Sequence, residues 1–208
     1  MKLYNYLTED KDKGEELVPL LENNRVFDLY LNGMQYLYRG IFGGYHTFKY
    51  RLKKVVKERR PKDSKKYLHD AFDMTFHKKF GIKGRTECTF ATSNKTMAEY
   101  YGKPFIFIPL EPFKFLYSPV VYDLWALNDP FRRNRITLLN NDETDILNNP
   151  DDEGFQKVIE KVVSTYKTDN LKSAISSGNE IMFDCKEYII FKPVHFELFV
   201  FRNFGVEL

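Results

Sequence analysis

Cysteine is scarce in this chain. Only Cys88 and Cys185 occur in 208 residues, far apart and each within an apolar, strand-like segment. Two reduced core thiols are therefore expected, not a disulfide framework. Histidine is equally thin, at positions His46, His69, His77 and His195, and no group has the spacing of a metal site, so no structural zinc is expected. His69 and His77 fall on one predicted helix without a third ligand nearby and read as surface or capping residues. No run approaches the roughly 18 apolar residues of a membrane span, and the opening MKLYNYLTEDKDKGEE carries charge where a secretory signal needs an apolar stretch. These absences predict a soluble, cytoplasmic protein with no membrane partner. The formal net charge of +3 is too small to imply nucleic-acid binding by itself, because phosphate-driven affinity needs clustered charge.

Aromatic residues are abundant by contrast, with 19 Phe and 14 Tyr, which favours a sheet-rich, aromatic-packed interior. The length suits one domain, 1–208, with residues 1–33 as an N-terminal helical portion. From Gly14 to Leu31 the apolar positions Leu17, Leu20, Leu21, Val26, Phe27 and Tyr30 form a helical stripe broken at Asn23-Asn24. A strand around Tyr36–Tyr38 ends at Arg39-Gly40, an arginine whose planar fork suits phosphate oxygens beside a glycine that lets a ligand near the backbone. The run from Lys49 to Lys66 is either the edge of an anion-binding cleft or a solvated loop. Asp63-Ser64 would cap a helix from Lys65 to Phe80, with Leu68, Ala71, Phe72, Thr75 and Phe76 inside and Gly81 as its stop.

A strand from Thr86 to Ala91 then leads to Thr92-Ser93-Asn94, a helix from Lys95 to Tyr101 and a strand from Phe105 to Leu110. Ser93 or Asn94 caps that helix, or the hydroxyls orient a ligand or a carboxylate. The stretch 111–131, which holds the only tryptophan, Trp125, reads as extended with its aromatics on the sheet. Arg132, Arg133 and Arg135 precede an acidic, Asn-rich loop from Asn140 to Glu153. An amphipathic helix is predicted over Phe155–Tyr166, an exposed loop over Thr168–Asn179, and two strands around Lys192-Pro193 with Phe196, Leu198, Val200 and Phe204 on one face. Between the loop and an apolar run stands Glu180, an acid placed at the mouth of a strand.

The order Tyr38-Arg39-Gly40, then Phe90-Ala91-Thr92-Ser93 with Ala98 and Tyr101-Gly102, then Glu180-Ile181-Met182-Phe183 resembles the Arg, Ser-Thr-Ser, Glu arrangement of the ADP-ribosyltransferase superfamily. The resemblance implies an α+β fold with N-terminal helices and a split, mostly antiparallel sheet core. It also implies an enzyme that uses NAD as substrate and transfers ADP-ribose to a macromolecule. Carried across, Arg39 with Gly40 supports the NAD phosphates, with Arg59, Arg60 or Arg85 as further cations. Thr92 and Ser93 brace the nicotinamide ribose, and Glu180 steadies the oxocarbenium-like transition state. Ala91 stands where the family's first serine would be, and Gly178 stands two residues before the glutamate, where arginine-modifying members carry an acid; arginine is therefore not implied as acceptor. The loop Tyr166 to Ser177 is where the family selects its acceptor. Size, aromatic content and the basic loop also resemble proteins of tailed bacteriophages, which implies a host protein or nucleic acid as acceptor in the host-cell cytoplasm. The other reading is a non-enzymatic phage protein that binds nucleic acid or a host protein through basic stretches at 49–66 and 132–135.

Overall fold

Two antiparallel sheets carry the apolar runs. The computed structural model describes residues 14–43, 48–59, 65–124 and 138–207. The first sheet has four strands, β1 (Tyr38–Ile41), β2 (Tyr50–Lys54), β4 (Lys103–Pro109) and β7 (Glu187–Phe191), in the order β1-β4-β7-β2. Its central strands read PFIFIP and YIIF and are buried on both faces, as unbroken apolar runs require. The edge strand β2 is exposed at Arg51, Leu52 and Lys54, and basic side chains there discourage pairing with another chain. The second sheet has three strands, β3 (Thr89–Ala91), β5 (Lys114–Tyr117) and β6 (Ile181–Asp184), in the order β3-β6-β5.

Alternation along the second sheet divides the core. Ile181 and Phe183 of β6 and Phe115 and Tyr117 of β5 face one apolar cluster, while Met182 and Leu116 face another, as the two-residue strand period dictates. The first cluster lies between the sheets and under helices α2 (Arg25–Leu31) and α8 (Pro193–Phe204). The second is built with helices α3 (Lys66–Phe80) and α6 (Phe155–Ser164), whose Phe72, Phe76, Ile159 and Val162 pack against it. All sheet pairings among the described residues are antiparallel, so the expected α+β class with a split antiparallel sheet core is what the chain forms. No helix of the described residues is long and apolar enough to cross a membrane.

The N-terminal stripe forms a 3-10 turn (Glu15–Leu17), α1 (Val18–Leu21) and α2, with Asn24 capping α2 by accepting from Val26 N and Phe27 N. Helix α3 buries its five predicted inner residues and ends at Gly81 with φ 70°. Its N-cap is Lys65, with no side-chain cap bond; Asp63-Ser64, like His46, Arg60, Trp125 and the arginines at 132–135, lies outside the described residues.

Several expectations are corrected. The strand expected at Tyr36–Tyr38 begins at Tyr38, so Arg39 and Gly40 lie inside β1, and the strand expected from Thr86 is the three-residue β3. Part of the basic stretch is strand β2, not loop. Helix α4 (Lys95–Glu99) is capped by Asn94, which accepts from Met97 N. The acidic loop contains α5 (Asn141–Ile146), started by a capping box between Asn140 and Glu143. The loop over Thr168–Asn179 contains α7 (Leu171–Ser176), capped by Asn170 and anchored by buried Ala174 and Ile175. The second of the two C-terminal strands is helix α8: Phe196, Phe199 and Val200 are buried at helical spacing, Pro193 opens the first turn and Gly205 stops it at φ 68°. Cys88 and Cys185 flank strands as free, buried thiols. Burial pushes both thiols up, Cys185 to about 12, so neither is a thiolate nucleophile at neutral pH. His69 is buried, not a surface residue, because it faces the turn after α3.

Candidate active site

The two sheets are joined where β1 begins and β3 has just ended. Tyr38 N donates to Thr92 O at 2.6 Å, and Thr92 N donates to Tyr38 O at 3.0 Å. This join sets Arg39 beside β3. Its Nη1 donates to Thr89 Oγ1 at 2.5 Å and to Phe90 O at 2.7 Å, and its guanidinium lies 5.4 Å from the centre of the Tyr188 ring. The last pair of the β3–β6 ladder is Ala91 with Ile181. One residue beyond it on each strand stand Thr92 and Glu180, so the predicted hydroxyl segment and acid meet at one end of the second sheet, whereas Arg39 is bonded further along β3, at Thr89 and Phe90.

The hydroxyls act on the backbone that delivers the acid. Thr92 Oγ1 donates to Gly178 O at 2.7 Å and accepts from Asn94 N at 3.0 Å. Ser93 Oγ donates to Ile175 O. Both side chains therefore tie the end of α7 to the start of α4 and fix the segment entering β6. On the opposite side, Glu180 N donates to Tyr122 O at 2.8 Å and Asn179 Nδ2 to Ser118 O at 2.9 Å. Gly178 adopts φ 70° in this approach, a left-handed conformation that a side chain would strain.

Glu180 sits just ahead of β6, as expected, yet its carboxylate is not solvated. Oε1 is enclosed and accepts no hydrogen bond from the described residues. Burial pushes the acid up to about 7; Arg85 pulls it down, buried Asp123 pushes it up, and the Leu124 amide and Arg59 pull it down. The carboxyl is thus poised to titrate near neutrality, and its ionised form is underpaired. Such a group costs stability unless something else binds to it.

Arg59 and Arg85 flank the same spot. Their guanidinium carbons lie 4.7 Å and 5.8 Å from the centre of the Phe90 ring. Arg59 Nη1 donates to Cys88 O at 2.9 Å. Burial and then the charges of Arg39 and Arg85 lower the Arg59 pKa, while Glu180 and Tyr188 raise it, so three arginines and one acid share a field. Gly40 plays another part than expected: a Cβ there would stand 2.1 Å from Ala98 O and 2.7 Å from the Tyr101 carbonyl carbon. It allows α4 to pack on β1 and leaves no room for a ligand at that point. An open cleft of about 480 Å³ is lined by Met34, Tyr36, Tyr38, Ser93 and Lys95; Tyr38 and Arg39 point to opposite faces of β1, and Glu180 is not among its lining residues.

Sequence reasoning missed Asp123, Tyr188 and the Leu124 amide as neighbours of the site. An isolated Asp in the aromatic stretch 111–131 carries no periodic signal, and its fold-mate is 57 residues on. Comparison with known proteins adds no relative: no family model matches the chain, and no curated protein or solved structure matches it significantly.

Proposed function

We propose that the chain is an NAD-dependent ADP-ribosyltransferase of the Arg, Ser-Thr-Ser, Glu type, with Glu180 as the catalytic carboxylate and a host protein or nucleic acid as acceptor. The observation that carries this reading is Glu180 itself: an enclosed carboxylate with an unpartnered oxygen, facing Arg59 and Arg85, on a segment braced by Thr92 and Ser93. Breaking the bond between nicotinamide nitrogen and ribose C1′ develops positive charge on the ribose ring, and a fixed carboxylate beside it stabilises the transition state more than the ground state. Nicotinamide is cationic in NAD and departs neutral, so no acid is needed to protonate it, unlike in ordinary glycoside hydrolysis. The acceptor's nucleophile then bonds to C1′ and loses its proton. Arg39, Arg59 and Arg85 supply the positive field that a pyrophosphate requires.

Glu180 must be ionised to act, and its pKa near 7 makes turnover rise as pH increases through neutrality. Nicotinamide release from NAD by the wild type, reduced at least about 100-fold in Glu180→Gln, is the expected result; equal release by both proteins would end this reading. Salt-sensitive nucleic-acid binding with no response to NAD would instead favour the binding protein, for which the exposed Arg51 and Lys54 of β2 are the supporting feature.

A further inference from the structure

The buried face of α3 holds two polar side chains that its packing does not require. His69 and Asp73 are 5% and 7% exposed and lie among Leu68, Phe72 and Phe76. An ionised carboxylate in such a place is unfavourable unless it is hydrogen-bonded. Asp73 Oδ1 accepts from the backbone N–H of Arg85 at 2.6 Å. His69 Nε2 lies 3.0 Å from Thr86 Oγ1 and 3.7 Å from Asp73 Oδ2. Both therefore grip the turn that follows α3. The same turn is held from two other directions. Thr86 O accepts from Arg59 N at 3.2 Å, and Gly84 sits so close to β6 that a Cβ there would stand 2.8 Å from Met182 Sδ.

We propose that Asp73 and His69 are positioning residues: they latch the Gly84–Glu87 turn to α3 and so hold Arg85, and through Thr86 also Arg59, against Glu180. They touch neither the acid nor any reacting atom. Their effect reaches the site through the turn's backbone, which decides where the two arginines acting on Glu180 stand. The groups facing Glu180 are Arg85, Asp123, the Leu124 amide and Arg59, with Tyr166 also in its field. Asp73 is not one of them, so removing its charge has little direct effect on Glu180, and any direct effect would ease ionisation. Loosening the turn does the opposite, because Arg85 is the strongest pull on the carboxylate. Burial lowers the His69 pKa below its ordinary value; Asp73 raises it, Arg85 lowers it, Asp70 raises it and Arg59 lowers it.

The test is the titration of the Glu180 carboxyl by carbon NMR on glutamate-labelled protein, assigned with Glu180→Gln. Asp73→Ala should move the midpoint up by about one pH unit, the scale of a lost opposite-charge neighbour. Asp73→Asn keeps an acceptor for Arg85 N–H and should leave the midpoint where the wild type has it. Thr86→Val, a near-isosteric change, should move it up by less. An unchanged or lowered midpoint in Asp73→Ala, or Asp73→Asn moving as far as Asp73→Ala, would overturn the proposal. If Asp73→Ala does not fold, an unmoved midpoint in Thr86→Val overturns it alone. The catalytic meaning of the latch rests on the proposed function, but the titration does not. A moved midpoint in a protein that never releases nicotinamide would sink that function and keep the latch, whereas an unmoved one with active wild type would do the reverse.

Discussion

Glu143 and Glu180 both stand beside the start of an element, and their surroundings have nothing else in common. At the head of α5, Glu143 closes a capping box with Asn140 and takes Lys161 Nζ on both oxygens at 2.6 and 2.8 Å. That hydrogen bond from Lys161, with the Asn140 amide, holds its carboxyl below the usual range. At the head of β6, Glu180 has one enclosed oxygen without a partner and a pKa raised to about 7 by burial. The first carboxylate is fully paired, and the second keeps an oxygen in reserve. A chain that caps α5 so fully can evidently provide partners, so the poverty at Glu180 is what the proposed function uses: local stability given up for a reactive carboxylate.

The comparison can be broken by experiment. The largest effect expected is on turnover, where Glu180→Gln should lower nicotinamide release by about 100- to 1000-fold, the scale of a lost transition-state charge partner. Next, Thr92→Val with Ser93→Ala frees the carbonyls of Gly178 and Ile175. Each lost bond should destabilise by about 1 kcal/mol, read by urea unfolding, and the loosened acid should turn over roughly tenfold more slowly. Turnover at the wild-type rate would show that these hydroxyls serve the fold alone. Asn140→Ala should lower stability by about 1 kcal/mol with no change in turnover. The smallest effect belongs to Glu143→Gln, under about 1 kcal/mol because the pair is solvent-screened. Its pKa is depressed by folding, so its stabilisation is present at neutral pH and disappears as pH falls through the carboxylate range. Wild type and Glu143→Gln should therefore differ at pH 7 and converge at pH 3.

Much of the frame was readable beforehand. Helices α3 and α6 and the two apolar central strands followed from periodicity and punctuation, because those signals are local, while Arg39, Thr92, Ser93 and Glu180 stand out as a set only through the family resemblance. The C-terminal helix α8 was not. HFELFVFRNF is apolar enough to satisfy either period, and only Pro193 and Gly205 decide for the helix. Helix α7 hides in a polar stretch, because its stability comes from Ala174 and Ile175 meeting the core and from an Asn170 cap. The partners of the site were the least legible. Asp123 reaches Glu180 across 57 residues of sequence, and Asp73 reaches Arg85 through a turn whose shape no local signal records.

The central claim is that Glu180 gives up stability for catalysis, and one variant reads both. Folding raises the Glu180 pKa, so its burden is absent below the ordinary carboxylate range, grows as pH rises from there to about 7 and is fully present above it. Urea unfolding and nicotinamide release should be measured side by side for wild type and Glu180→Gln at pH 5 and pH 8. At pH 8 the variant should be more stable by on the order of 1–3 kcal/mol, because a tenfold weaker acid in the folded state costs about 1.4 kcal/mol, and should release nicotinamide about 100- to 1000-fold more slowly; at pH 5 the stability gain should largely vanish. A variant that is less stable at pH 8, or that turns over like the wild type, would contradict the account.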